Sequence, residues 1–141
     1  MSLSNYSAQA LLNALFGKTS AFGALASVPT IYVALSSTTP TETGGNVTEP
    51  SAGAYARVST AAGDWNAATS ADPSVVDNLN AIAFPTATAT WLSAADLTYV
   101  ALYDASSGGN FLGAGALTLA KPVLSGDTME FSAGDLNITM D

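Results

Sequence analysis

The 141-residue chain contains no cysteine and no histidine. The first absence excludes disulfides, thiolate zinc sites and cysteine nucleophiles, and the second removes the usual base of a serine or cysteine catalytic pair. The eleven acidic residues are then the main catalytic candidates, yet their spacing selects no acid and base pair and no calcium-binding loop. We therefore expect no enzyme activity, no cofactor and no metal site.

Positive charge is also scarce, because Lys18, Arg57 and Lys121 are the only basic residues and the net charge is −8. Duplex binding normally recruits several lysine or arginine contacts to phosphate, so the sequence predicts no nucleic-acid partner. No apolar stretch approaches the roughly 20 residues that a membrane-spanning helix needs. The segment Met1-Ser-Leu-Ser lacks the cationic start of a secretory signal, so we expect neither membrane insertion nor export by that route.

Short apolar segments separated by turn residues dominate most of the chain. Residues 97–117 contain two such segments around a Ser-Ser-Gly-Gly-Asn turn, which is the pattern of a β-hairpin. Further strands are expected at residues 31–36, 54–59 and 80–84. Together with one helix, this pattern predicts a mainly β fold, either a compact antiparallel β-sandwich or a partly open barrel. The length fits a single domain over residues 1–141.

The N-terminal segment predicts one α-helix over residues 5–16, with Ser4 as N-cap and Gly17 as stop signal. This gives a helical arm at residues 1–17 and a β domain at 30–141. The apolar residues of the helix recur at helical spacing and include Leu11, Leu12, Leu15 and Phe16. We favour the interpretation that this stripe covers the open side of the chain's own sheet, and the alternative is docking on a neighbouring subunit.

Arg57 carries the only guanidinium of the chain. We expect it to form a bidentate pair with a carboxylate of the long loop at residues 38–53, such as Glu42 or Glu49, in preference to binding a ligand. A loop of that length in a compact domain is typical of a functional or mobile segment.

Trp65 and Trp91 are expected to be core or interface anchors, and stacking on a carbohydrate is the less favoured alternative. The residues that we expect to contribute to assembly contacts are Leu11, Leu12, Leu15, Phe16, Arg57, Trp65 and Trp91.

Four segments occur in a recognisable order. They are Tyr-Val-Ala-Leu-Ser-Ser-Thr-Thr-Pro-Thr at residues 32–41, Val-Thr-Glu-Pro-Ser-Ala-Gly-Ala-Tyr-Ala-Arg-Val at 47–58, Ile-Ala-Phe-Pro-Thr-Ala-Thr at 82–88, and the hairpin at 103–117 with its Gly126-Asp127-Thr128 sequel. In this order the chain resembles a family of small tailed-bacteriophage virion proteins that are commonly labelled tail-fibre proteins. The resemblance covers nearly the whole chain, and it implies a non-enzymatic structural protein of the virion.

Two placements on the virion follow from this reading. We favour a homotrimeric capsid decoration or cement protein on the outer shell, which would stabilise contacts between major capsid subunits. Short length without a shaft repeat, acidic charge and a weakly charged surface rich in serine, threonine and alanine support this placement. The alternative is a tail-fibre or tail-tip adaptor that binds another tail protein or a host-surface glycan. Either protein would be assembled in the host cytoplasm and displayed on the outside of the particle. A hydrolase acting on cell-wall sugar is the least favoured alternative.

Overall fold

The computed structural model describes residues 4–18 and 28–140. Within them lie the helix α1 (Asn5–Leu15) and the strands β1 (Ile31–Ser36), β2 (Val58–Thr60), β3 (Ser74–Asp77), β4 (Ile82–Ala83), β5 (Leu97–Tyr103), β6 (Phe111–Lys121), β7 (Glu130–Phe131) and β8 (Asn137–Met140). The predicted mainly β, antiparallel class with one N-terminal helix is confirmed, and it fits the sandwich alternative. In the two described ranges, no helix has the length and apolar content needed to cross a membrane.

The described chain forms two compact units, and each unit is built from segments that are not contiguous in sequence. The first unit comprises residues 4–18, 28–29, 60–82 and 131–140, and the second comprises 30–59 and 83–130. The expectation of one domain over residues 1–141, with an arm at 1–17 and a β domain at 30–141, stays a prediction. Helix α1 and its partners β3 and β8 belong to the same unit.

In the first unit, α1 packs against the antiparallel pair β3 and β8. The Phe16 and Trp65 rings pack in a T-shaped arrangement with 4.6 Å between centroids, and Leu12 and Val76 are fully buried. Trp65 donates its indole N–H to Thr60 Oγ1 at 3.0 Å, which satisfies the one polar group of a buried ring. The interpretation of the apolar stripe as cover for the chain's own sheet agrees with this packing.

Helix α1 ends at Leu15, one residue before the predicted end, in a left-handed turn. Gly17 has a φ of +68° and donates to Ala14 O, while Lys18 donates to Asn13 O at 2.7 Å. This pair of bonds is a Schellman motif, which satisfies the last carbonyls of the helix and favours glycine at the left-handed position. The predicted stop at Gly17 is confirmed.

The second unit contains a four-stranded sheet in the order β2-β1-β5-β6. The antiparallel pairing of β1 with β5 sets Ala34 opposite Ala101, and both side chains are buried. The predicted strand at residues 54–59 is wrong in extent, because β2 begins only at Val58. Gly53 and Ala54 adopt positive φ values of 68° and 65°, so the chain turns where an extended segment was expected.

An aromatic cluster forms a core beside this sheet. Tyr55 stacks on Phe84 at 5.9 Å between centroids and meets Trp91 edge to face at 5.1 Å. The Trp91 indole N–H donates to Gly53 O at 2.9 Å, and a Cβ on Gly53 would lie 2.9 Å from the Trp91 ring. The positive φ at Gly53 and this close approach together require glycine there.

Candidate interaction surface

Strand β6 is the terminal strand of the four-stranded sheet and is the longest strand of the described chain. Its sequence, Phe-Leu-Gly-Ala-Gly-Ala-Leu-Thr-Leu-Ala-Lys, carries one charge, on Lys121. Most of its side chains are exposed, and Leu119 is the most exposed large apolar residue at 73%. Every second residue of a terminal strand points its N–H and C=O away from the sheet, so β6 presents a free backbone edge flanked by apolar side chains.

The pairing between β5 and β6 is regular in its middle and irregular at both ends. Beside the hairpin turn, Leu112 has no partner, because Leu102 pairs with Gly113 and Tyr103 pairs with Phe111. Tyr99 lies opposite Ala116, but the next paired position is Leu97 opposite Lys121. Residues 117–120 therefore face a single residue of β5, which is a large bulge. The predicted hairpin is confirmed, and its second strand runs four residues beyond the predicted end at Leu117.

The hairpin turn is held by Asp104 and Asn110. Asp104 accepts the Asn110 backbone N–H at 2.6 Å and the Asn110 side-chain amide at 2.7 Å. These hydrogen bonds lower the pKa of the Asp104 carboxyl, with the larger effect from the side-chain amide. Gly109 has a φ of +77°, and a Cβ there would lie 2.6 Å from the Ala105 Cβ, so the turn requires glycine at this position.

Arg57 and Glu49 connect the long loop at residues 38–53 to the turn of the β5–β6 hairpin. Arg57 Nε donates to Glu49 Oε2 at 3.0 Å and Nη2 donates to Oε1 at 2.5 Å, which is the bidentate geometry predicted from the sequence. Arg57 Nη1 also donates to Ala105 O and Gly108 O, both in the β5–β6 turn. Only 8% of the Arg57 side chain and 20% of the Glu49 side chain are exposed. Of the two carboxylates proposed for this pair, Glu49 is the partner.

Two tyrosines complete this network. Tyr55 donates its hydroxyl to Glu49 Oε2 at 2.9 Å and accepts the Leu35 N–H at 3.0 Å, while the Arg57 guanidinium lies 3.6 Å from the centre of the Tyr103 ring. Burial, followed by the negative charge of Glu49, raises the pKa of the Tyr103 hydroxyl. For Arg57, burial alone would lower the pKa, but the hydrogen bonds to Glu49 and its charge raise it overall.

The remainder of the loop is held by hydroxyl groups. Ser36 Oγ accepts the backbone N–H of Thr48 at 3.0 Å and donates to Thr38 O at 2.8 Å, and Thr38 Oγ1 donates to Asn46 O. These bonds hold the start of the loop and Thr48 beside the end of β1. The prediction that this loop is functional or mobile is untested, but its ends are tied down.

An open groove of about 310 Å³ lies between this loop and the start of β6. Its lining residues are Pro40, Thr41, Glu42, Phe111, Leu112, Gly113 and Ala114. The Glu42 carboxylate is exposed, so the N-terminal end of β6 has a free negative charge nearby, whereas Lys121 stands at its C-terminal end. The edge of β6 together with this groove is called the β6 edge below.

The seven predicted assembly residues are divided between the two units. Leu12, Phe16 and Trp65 are buried in the first unit, where Phe16 and Trp65 are in direct contact. Leu11 is exposed at 41% and Leu15 is half-buried on the same helix. An assembly role for each of these residues stays a prediction.

Arg57 and Trp91 lie in the second unit and are linked through Tyr55, which contacts Trp91 and shares Glu49 with Arg57. Trp65 and Trp91 are exposed at 1% and 2%, so both are core residues and neither turns a ring face to solvent.

The β6 edge was missed as a candidate surface by sequence reasoning, although one signal for it is present. Residues 111–120 contain neither a charge nor a proline, the two residue classes that most often blunt an exposed strand. The Tyr103 contact to the Arg57–Glu49 pair had no such signal, because Tyr103 and Arg57 are 46 positions apart in the sequence.

Comparison with known proteins places the chain in a family. A family model described as podophage GP4 fiber I protein gp80 matches residues 2–139. No curated protein matches the chain. The match agrees with the resemblance carried by the four sequence segments, and the family is one of phage fibre proteins, which are components of the virion. The chain therefore belongs to the podophage GP4 fiber I protein gp80 family.

Proposed function

We propose that this protein is a non-enzymatic structural module of a phage tail fibre, which assembles with other tail proteins through the exposed edge of its sheet. The family match supports the fibre assignment. The main structural support for assembly through this surface is the β6 edge. A long apolar terminal strand with a free backbone edge is suited to binding another chain.

The tail is favoured over the capsid shell as the place of assembly. Composition and charge favoured a capsid decoration protein bound to the major capsid protein, but they are compatible with either location. The family match adds weight to the fibre alternative, and no contact or charge of the described residues points to the capsid lattice in particular. A host-surface glycan is a weaker candidate partner, because both tryptophans that would stack on sugar are buried.

The environment of the acidic residues supports a structural role. Asp64, Asp104, Asp127 and Asp135 each accept a backbone N–H in a turn, at 2.6 to 3.0 Å. Carboxylates in this position fix local backbone geometry. Glu49 is occupied by Arg57 and Tyr55. A turnover assay on host envelope glycans tests this part of the proposal, and activity that is lost on replacing one Asp or Glu would overturn it.

Counting and locating the protein on purified virions tests the fibre assignment. We expect quantitative mass spectrometry to give few copies per particle relative to the major capsid protein, and gold labelling with an antibody to this chain to decorate the tail. The major capsid protein and a known tail protein from the same particles serve as internal standards. A copy ratio near one with the major capsid protein, or gold over the shell, would reject the fibre assignment in favour of capsid decoration.

A further inference from the structure

We propose that the groove at the N-terminal end of β6 binds an arginine side chain, which an extended segment of another tail protein presents. The guanidinium pairs with the Glu42 carboxylate, and the aliphatic part of the side chain packs on Pro40 and Phe111. The inference rests on the proposed function, because it names the chemistry of the partner that the β6 edge receives. Its tests use the purified protein and synthetic peptides, so they are independent of where the protein lies on the virion.

The groove has the size and the lining for one long side chain. Its volume of about 310 Å³ lies at the lower end of the range of roughly 300–1,000 Å³ that is usual for small-ligand sites. Among its lining residues only Glu42 carries a charge, while Pro40 and Phe111 supply apolar surface for methylene groups. The groove therefore combines an apolar wall with a single carboxylate.

The Glu42 carboxylate has no hydrogen-bonding or ionic partner within the described part of the chain. Arg57 is already paired with its own carboxylate, and the Lys18 ammonium donates to a backbone carbonyl. Lys121 stands ten residues beyond Phe111 in β6, where an extended chain covers about 33 Å. Because these three residues are the only lysines and arginines of the sequence, a side chain that pairs with Glu42 has to come from another molecule.

The wall that carries Glu42 is held in place by a tight turn. Thr41 shares three hydrogen bonds of 2.9 Å with Gly44 and Gly45, through its backbone and its hydroxyl. Gly44 lies directly against Phe111, since a Cβ on this glycine would be 2.5 Å from the Phe111 Cβ. A groove that is already formed loses little conformational freedom on binding, which favours affinity.

The opposite wall begins at the β-bulge of Leu112. This residue has no partner in β5, is 36% exposed and lines the groove. A bulge interrupts the ladder and re-aims side chains, and bulges are frequent beside binding sites. This end of β6 is therefore suited to receiving a side chain, whereas the regular pairing with β5 lies further along, at residues 113–116.

Arg57 shows the same chemistry inside the protein. Its guanidinium makes bidentate bonds to Glu49 and lies 3.6 Å from the centre of the Tyr103 ring. In the groove, Glu42 and Phe111 provide the same two elements, one carboxylate and one aromatic ring. A lysine ammonium lacks the planar donor array and stacks less well on a ring, so we expect arginine to be preferred.

Peptide titrations followed by NMR test the site. The probe is acetyl-Thr-Val-Arg-Val-Thr-amide, whose β-branched residues favour an extended backbone, and the control peptide has citrulline, which is uncharged and of the same shape, in place of arginine. We expect the arginine peptide to give saturable amide shifts at residues 40–42 and 111–114. The dissociation constant should be at least about fivefold higher for the citrulline peptide and about threefold higher for a lysine peptide.

Charge-matched variants of the protein identify the carboxylate. Glu42→Gln should raise the dissociation constant of the arginine peptide about fivefold and leave that of the citrulline peptide unchanged. Asp96→Asn is the matched control, because Asp96 is exposed in the same unit, lies outside the groove and carries the same charge. It should leave both values unchanged. Gly44→Ala should weaken binding without a change in charge, because its Cβ would displace the turn from Phe111.

Several results would overturn the proposal: no saturable shift with the arginine peptide, shifts confined to other residues, equal binding of the citrulline or lysine peptide, or equal effects of Glu42→Gln and Asp96→Asn. The virion experiment separates this inference from the fibre assignment. Gold over the shell would reject the fibre assignment, whereas the peptide titrations alone decide whether the groove binds arginine.

Discussion

At the scale of single residues, Arg57 shows how one side chain can connect three segments of the second unit. Its guanidinium binds Glu49 of the long loop, reaches the carbonyls of Ala105 and Gly108 in the hairpin turn, and covers the face of Tyr103. Because a guanidinium has several donors in a fixed planar array, it can make all of these hydrogen bonds and the ring contact at once, whereas a lysine ammonium cannot. These side-chain bonds therefore help to position the loop, together with the backbone bonds from Ser37 N–H to Thr48 O and from Thr88 N–H to Gly53 O.

Replacing the partner of Arg57 should destabilise the fold. We expect Glu49→Gln to lower the free energy of unfolding by about 1–3 kcal/mol, because it leaves a largely buried guanidinium without its counter-charge and also weakens the Tyr55 bond. Urea unfolding followed by tryptophan fluorescence measures this change. Glu42→Gln, an exposed position in the same loop, is the matched control and should change the value by less than about 0.5 kcal/mol. Equal effects of the two variants would contradict the bracing role of the pair.

Asp64 gives a residue-scale prediction of pH dependence. The Ala61 backbone N–H, followed by the Asn80 side-chain amide, lowers the pKa of the Asp64 carboxyl below its ordinary value of 3.8. A carboxyl with a lowered pKa in the folded state adds stability above pH 3.8, and this contribution is lost as the pH falls through the folded-state value. Asp64→Asn should therefore reduce stability at neutral pH by about 0.5–1 kcal/mol.

The difference between Asp64→Asn and the wild type should shrink as the pH is lowered below 3.8, and urea titrations at several pH values measure it. Asn80→Ala removes one of the two donors and should give a smaller effect in the same direction. A difference that stays constant down to the lowest pH would mean that the charge of Asp64 contributes nothing.

At the scale of elements, helix α1 presents a buried side and an exposed side, and paired variants separate them. Leu12 is fully buried, and its neighbour Leu11 is 41% exposed. Leu12→Ala should lower the free energy of unfolding by about 2–5 kcal/mol through lost burial and a residual cavity. Leu11→Ala, the same chemical change one position earlier, should stay within about 1 kcal/mol. Similar effects in urea unfolding would show that the helix is not packed as described.

The turn after Trp91 contains three successive non-glycine residues in the left-handed region. Leu92, Ser93 and Ala94 have φ values of 48°, 54° and 66°. Because that conformation costs an L-residue roughly 1–2 kcal/mol, Ala94→Gly should stabilise the fold by about 0.5–1 kcal/mol after the added freedom of the unfolded chain is subtracted. Ala95→Gly, at a φ of −64°, should be neutral or destabilising. Thermal unfolding distinguishes the two variants, and stabilisation by Ala95→Gly alone would refute the account.

Elements whose conformation is determined by nearby residues were predictable from the sequence, and elements whose conformation depends on contacts with distant residues were not. Strand β1 was predicted at the observed bounds, Ile31–Ser36, because apolar β-branched residues alternate there. The expected strand at residues 54–59 failed because Ala54 adopts positive φ and Tyr55 is drawn into contacts with Phe84 and Trp91. Side chains at residues 54–59 do alternate in the sequence as in a strand, but tertiary packing determines the backbone conformation of this segment.

The candidate surface was only partly predictable for the same reason. The planar donor geometry of guanidinium favoured a carboxylate partner for Arg57, and Glu49 was one of the two carboxylates named. The sequence of residues 111–121 predicts that β6 is a strand. Its position at the edge of the sheet could not be predicted, because the order β2-β1-β5-β6 depends on pairing between residues far apart in the chain. The approach of Glu42 to the start of β6 likewise depends on the loop anchors at Ser36 and Thr38.

At the scale of the whole molecule, the path of the chain couples the two units. The backbone passes from one unit to the other after residues 29, 59, 82 and 130, so neither unit is a continuous piece of sequence. Unfolding the second unit would replace the folded connections between the three segments of the first unit with flexible loops, and the entropy of closing those loops would then oppose folding of the first unit. The topology thus favours a single cooperative transition, as expected of one domain.

The two tryptophans provide a test of this coupling, because Trp65 lies in the first unit and Trp91 in the second. Trp91→Phe leaves a fluorescence probe in the first unit only, and Trp65→Phe leaves one in the second only. In each variant we expect the urea midpoint from fluorescence to coincide with the midpoint from far-ultraviolet circular dichroism, which reports the whole chain. Both variants lose core packing and should unfold at lower urea than the wild type, but a shift common to both probes does not affect the comparison. Separate midpoints in either variant would show that one unit unfolds while the other persists, and the single-domain prediction for residues 1–141 would then be wrong.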